Sequence, residues 1–119
     1  DIRGFTVTTY NFWAGICEDA VVDRDVPVDE DGFYTIVVSS KEDRPCNATA
    51  ENGVTWLDWG TYLDGQLTFR MLISREDNLR KLKTAIDTGE VAPDIAPYVP
   101  QSRHCDKEAF EEKGWNAAF

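Results

Sequence analysis

The stretch Trp56-Leu57-Asp58-Trp59-Gly60-Thr61-Tyr62 sets three aromatic rings and a carboxylate within seven residues. That is the chemistry of sugar recognition: an exposed indole or phenol stacks on a pyranose ring, and an adjacent Asp accepts from its hydroxyls. On a strand, Trp56 and Asp58 share one face and Leu57 and Trp59 the other. The competing reading is structural, with Leu57 and Trp59 in the core and Trp56 half-buried at a sheet edge. A glycosidase needs two carboxylates at a defined separation, but with twenty-two in the chain their presence discriminates nothing.

The second constellation is acidic. Asp23, Asp25, Asp29 and Asp31 offer hard oxygen ligands of the kind calcium takes. The EF-hand pattern is not met: Asp29-Glu30-Asp31-Gly32 lacks the first ligand position, and Val38 stands where the closing Glu belongs. A solvated turn explains the same residues without a metal. His104 is the single histidine and adjoins Cys105, but sequence neighbours rarely form a nucleophile–base pair and no oxyanion loop accompanies them. No Gly-rich phosphate loop is present. No catalytic residue is assigned.

Asn47-Ala48-Thr49 is an N-glycosylation sequon in a polar loop. The three cysteines, Cys17, Cys46 and Cys105, lack metal-ligand spacing. Three pairings are open to them. Cys46–Cys105 is preferred, because both lie in loop-like segments near prolines that a staple would order; three reduced thiols are the alternative.

These residues sit in a chain of 119, the length of one domain. Twelve basic residues against twenty-two acidic give a net charge of −10. That opposes binding to nucleic acid or to anionic membranes, and it favours cationic partners. No run approaches the apolar length of a membrane span. The first residue is Asp1, and Phe5-Thr6-Val7-Thr8-Thr9-Tyr10 reads as a strand almost at once. The expectation is the C-terminal part of a longer precursor.

Turn dipeptides and β-branched runs then define the elements. Residues 4–12 alternate, with Phe5, Val7 and Thr9 on one face. Asp31-Gly32 is expected to turn the chain as a hairpin into a strand over 33–39, and Asn52-Gly53 precedes a strand over 54–59. Asp64-Gly65 leads a strand whose Leu67, Phe69, Met71 and Ile73 share the buried face. Ser74 and Asp77 resemble a capping box, and Leu79, Leu82 and Ile86 follow at helical spacing, which predicts a helix over 75–87 closed by Gly89. A short helix is expected from Asp106 to Lys113. The apolar tail of Trp115 and Phe119 is expected to dock on this domain or on a neighbour.

The segments Asp31–Ser39, Trp56-Leu57 and Gly65–Leu72 together resemble the C-terminal, jelly-roll-like domain of a bacterial and fungal envelope protein family of unknown function. That domain carries a DG-x-Y-T-I strand, a Trp-Leu segment and a Gly-led strand ending near an Arg and an aliphatic pair. The match covers about forty residues. Thr55 replaces the family's Asn before Trp-Leu, and Arg70-Met71-Leu72-Ile73-Ser74 replaces its R-x-Y-x-P ending. The resemblance implies a β-sandwich at the end of an exported protein and supplies no catalytic residues.

The sequence is therefore read as one domain over 1–119, an antiparallel jelly-roll-like β-sandwich with one packed helix and a short C-terminal one, extracellular or in the cell envelope. Its expected role is a structural or assembly module that packs on its missing half or on identical copies through Trp115 and Phe119. The alternative is a carbohydrate-binding module using Trp56, Asp58, Trp59 and Tyr62. No cofactor is expected beyond a possible calcium ion at the four aspartates.

Overall fold

The structure is a computed structural model that describes residues 2–73 and 75–117. Five strands run as β1 (Ile2–Asn11), β2 (Cys17–Val22), β3 (Thr35–Ser39), β4 (Val54–Asp58) and β5 (Gly65–Ile73), followed by α1 (Glu76–Thr88) and α2 (Lys107–Lys113). β2, β1 and β5 form an antiparallel sheet in that order, with β1 central. β1 registers with β5 from Ile2 opposite Ile73 to Asn11 opposite Gly65.

The other two strands pair in parallel, Thr35 opposite Val54 through Ser39 opposite Asp58. This corrects the hairpin expected at Asp31-Gly32. The turn itself forms: Gly32 N–H donates to Asp29 O, and Asp29 Oδ1 accepts from the N–H groups of Asp31 and Phe33. No strand precedes it to pair with β3. The chain instead crosses over through residues 40–53 and returns beside β3 in the same direction, as a parallel pair requires. Sheets and two helices are present, but the arrangement is a small mixed domain, and a jelly-roll sandwich is not shown.

The two-residue side-chain period places the core. Phe5 and Val7 of β1 face Leu57 of β4, with Phe69 and Met71 of β5 and Ile36 and Val38 of β3 packed against them. The opposite face of the parallel pair carries Val54, Val37 and Trp56, which meet Ala48, Cys105 and Phe110 of α2. The β3–β4 pair is thus the middle layer between the antiparallel sheet and α2. Val26 is buried in the first cluster, and its extended backbone agrees with the restriction Pro27 imposes on it.

The periodic elements follow expectation except at Leu67, expected on the buried face of β5 but 46% exposed beyond the reach of the core. On β5, Phe69 and Met71 turn to the core while Leu72 faces out. α1 ends at Gly89, whose φ of 75° lets its N–H close on Ala85 O. Ser74 lies outside the described residues, and the residue flanking the start of α1 is Arg75, with no side-chain cap bond. α2 runs between Asp106 and Gly114, although Asp106 makes no side-chain cap bond.

Candidate functional site

The residues marked by sequence are separated by the fold. Trp56 is half-buried: its Nε1–H donates to Ser39 Oγ at 2.8 Å, and the Arg44 guanidinium lies 4.6 Å above its ring. One ring face and the polar edge are thus engaged within the fold. Asp58 is likewise engaged. Oδ1 accepts from Gly60 N–H at 2.9 Å, and Oδ2 pairs with Lys41 Nζ at 3.2 Å. The Gly60 N–H, then Lys41, hold its carboxyl below the usual range against the opposing effect of burial.

Asp58 also joins the layers through its backbone. Thr9 Oγ1, fully buried, donates to Asp58 O at 2.6 Å, and Asp58 N–H donates to Asp19 Oδ2. These bonds tie β1 and β2 to the end of β4. They are the structural duty of a residue that sequence had marked for binding.

Trp59 and Tyr62 point elsewhere. Trp59 lies against the start of β5 so closely that a Cβ on Gly65 would sit 2.4 Å from Trp59 Cζ2. Opposite it stands the β1–β2 turn. Asn11 Oδ1 accepts from the N–H groups of Trp13 and Ala14, and Gly15 at φ 63° donates back to Asn11 O. This Asx-type turn pushes Phe12 and Trp13 outward in an edge-to-face pair, centroids 5.4 Å apart. Trp13 Nε1–H donates to Asp64 Oδ2 at 3.1 Å, which links the two loops.

The outcome is an aromatic tip. Phe12, Trp13, Trp59, Leu63, Asp64 and Gly65 line an open pocket of about 360 Å³. Trp13 is 73% exposed and Leu63 98%, with Tyr62 and Ile16 also exposed nearby in sequence. The tip can stack or bury apolar groups. Among the described residues that line it, the carboxylate is Asp64, which already accepts from the Trp13 indole. Sequence reasoning found Trp59 and Tyr62 and missed Phe12, Trp13, Leu63 and Asp64. The signal for them was Asn11 followed by Gly15, a turn that leaves the two aromatics between them no strand to sit on.

The four aspartates do not converge. Asp23 lies against Gly4, Asp25 reaches Arg24 Nε at 3.8 Å, Asp29 holds its own turn and Asp31 is exposed. Among the described residues no group of three His, Cys, Asp or Glu side chains is placed to hold a metal ion.

Cys17, Cys46 and Cys105 are all free thiols, so the expected Cys46–Cys105 bridge is not formed. Cys105 packs inward beside Phe110, while Cys46 is exposed and gives its N–H to Glu111 Oε1 at 2.7 Å. That N–H, then the Cys46 thiol and Lys107, keep the Glu111 carboxyl below its usual range, against burial, which raises it.

The sequon also has a structural duty. Asn47 Nδ2, the atom a glycan would occupy, donates to Phe110 O at 2.9 Å and Glu111 O at 3.5 Å, and so staples the 45–53 loop to α2. A glycan there would replace one of the two amide hydrogens, leaving a single N–H for the two carbonyls. Its Oδ1 is buried and accepts no hydrogen bond. Trp115 is half-exposed in the turn after α2, and Phe119 lies outside the described residues.

No protein-family model, curated protein or solved structure matches the chain. No described helix is long and apolar enough to cross a membrane.

Proposed function

We propose that this chain is a non-catalytic structural or assembly module whose partly covered core is completed by a second protein surface, the rest of a longer chain or identical copies. The observation that carries the reading is surface area. A compact monomer of 13.5 kDa exposes about 6,500 Å², whereas this chain exposes 8692 Å². The excess, about 2,200 Å², is what one side of an obligate interface covers, roughly 1,000–2,500 Å². The radius of gyration, 15.2 Å, likewise exceeds the ~13.5 Å expected at this length.

The excess is apolar in part. The aromatic tip, Leu72 on β5, and Leu79 and Ile86 on α1 are all exposed. Among the described residues, β5 has no strand partner beyond β1 in its sheet, and the parallel pair stops at two strands. A two-stranded pair alone is at most marginally stable in water, so β3 and β4 depend on the surfaces packed against them. An extracellular or envelope setting now rests on the family resemblance alone, since the disulfide is unformed and the sequon amide is occupied.

The test is sedimentation of the chain at about 100 µM in low and high salt, with an apolar-surface dye added in parallel. Association that strengthens with salt supports the reading, because salt screens the mutual repulsion of copies carrying −10 each. So does a monomer that binds the dye strongly. A monomer that leaves the dye dark at both salt concentrations overturns it.

A second reading, carbohydrate recognition, keeps Trp59 and Tyr62 and takes Trp13 and Asp64 in place of Trp56 and Asp58. What favours it is the pair of indoles lining one open pocket beside a fixed carboxylate. Tryptophan fluorescence that ignores a broad glycan panel eliminates it.

A further inference from the structure

A second cavity lies on the other side of the molecule's middle layer. It occupies about 310 Å³ between the first residues of β3 and β4, the 45–53 loop and the C-terminal end of α2. Asp29, Thr35, Asn47, Asn52, Phe110 and Trp115 are the walls that matter. The volume is at the lower end of what small-ligand sites provide. Its shape is built: the Asn47 amide ties the loop to Phe110 O and Glu111 O, and Asn52 Nδ2 ties back to Asn47 O at 3.1 Å.

Its chemistry is one-sided. The turn bonds of Asp29 are made by Oδ1, which leaves Oδ2 unengaged by the described residues. Asn52 donates one amide N–H to Asn47 O and keeps its Oδ1 as an acceptor, and Thr35 brings a hydroxyl to the same lining. Asn47 Oδ1, in the same wall, is a buried acceptor without a donor. Among the described residues no Lys, Arg or His lines the cavity, and its apolar walls are Val54, Phe110 and Trp115, with Gly53 and Gly114 between them. Acceptors, one carboxylate and two aromatic faces are what an organic cation binds, through charge-assisted N–H bonds on one side and a cation–π face on the other. The lack of a three-ligand cluster sets this apart from a metal site.

We infer that this cavity binds an alkylammonium group, with Asp29 Oδ2 as the counter-charge, Asn52 and Thr35 oxygens as acceptors and the Trp115 ring as the apolar wall. Such a group reaches the cavity either as a free amine or as a lysine side chain of a partner. The site is independent of the aromatic tip and of the assembly reading.

The experiment is an NMR titration of the native chain with n-butylammonium chloride, with n-butanol as neutral isostere and Nα-acetyl-lysine methylamide as the side-chain probe. The expected result is saturable shifts at the Trp115 indole and the Asn52 amide with a dissociation constant of about 1 mM. Asp29→Asn keeps an oxygen acceptor for the turn while removing the charge, and it should weaken binding at least about tenfold. Tighter binding of the lysine probe identifies a peptide source, and preference for butylammonium a free amine; either supports the site. Non-saturating shifts spread over the surface acids, equal binding of butanol, or equal binding by a folded Asp29→Asn variant overturns it. If Asp29→Asn unfolds, the butanol comparison on the native chain decides alone.

Discussion

Gly65→Ala isolates the contact that seats Trp59 in the aromatic tip. The added methyl would lie 2.4, 2.6 and 2.9 Å from Trp59 Cζ2, Cε2 and Cη2. Carbon atoms in contact sit about 3.5–4.0 Å apart, so the ring must retreat by about 1 Å. Overpacking of this kind costs about 1–3 kcal/mol. Removing a strand glycine returns about 0.5–1 kcal/mol. The net expectation is a loss of up to about 2.5 kcal/mol, read from urea unfolding by far-ultraviolet circular dichroism. In a Trp59→Ala background the clash disappears and only the glycine effect remains. Gly65→Ala should then stabilise by about 0.5 kcal/mol, so the sign reverses across the cycle. Equal changes in the two backgrounds would refute the argument that the indole lies on the Gly65 backbone.

Leu57, 2% exposed between the sheet layers, gives the largest single-site loss: Leu57→Ala should cost about 2–4 kcal/mol and lower the urea midpoint accordingly. Asn47→Asp removes the donor and sets a carboxylate against two α2 carbonyls; hydrogen exchange should show α2 opening faster than in Asn47→Ala, which costs about 1 kcal/mol. If a glycosylating host modifies Asn47, the unmodified 13.5 kDa fraction, sorted by mass spectrometry, should unfold at higher urea than the glycosylated one, because the glycan removes an Nδ2 hydrogen that ties the loop to α2. Asp58, lowered by Gly60 N–H and Lys41, and Glu111, lowered by Cys46 N–H, bind fewer protons folded than unfolded. Their contribution is complete above the ordinary carboxylate range and is lost as pH falls through their lowered values, so the thermal midpoint should drop below about pH 4 and hold between 6 and 8.

What the sequence made legible was local. The inward face of β1, the alternation of β5 from Phe69 onward and the stop of α1 at Gly89 each follow from a period or a cap readable within a dozen residues, while Leu67 at the start of β5 breaks that alternation. Pairing partners were not readable, because they depend on contacts far along the chain. Asp31-Gly32 carries the composition of a hairpin turn, yet β3 finds its partner beyond a crossover. Trp56 and Trp59 look like one aromatic group, but the strand ends at Asp58 and sends the second indole to the β1–β2 turn. Asn47 has the pattern of a modification site, and only the placement of α2 reveals it as a staple. Chemical type is visible in a sequence, but the fold commits Trp56, Asp58 and Asn47 to holding itself together.

The central position of β1 has a consequence on the ribosome. Its hairpin partner β2 follows within a few residues, but its other neighbour, β5, is 54 positions away from Asn11 to Gly65. At about 5–20 residues per second of synthesis, that edge stands bare for roughly 3–11 s. During those seconds Phe5, Val7 and Thr9 flank an unpaired row of amides, an open template for any extended chain nearby. The nascent protein is at its most vulnerable to mispairing before its own fifth strand has been translated, and a chaperone that shields emerging β-edges would act on residues 2–11 first.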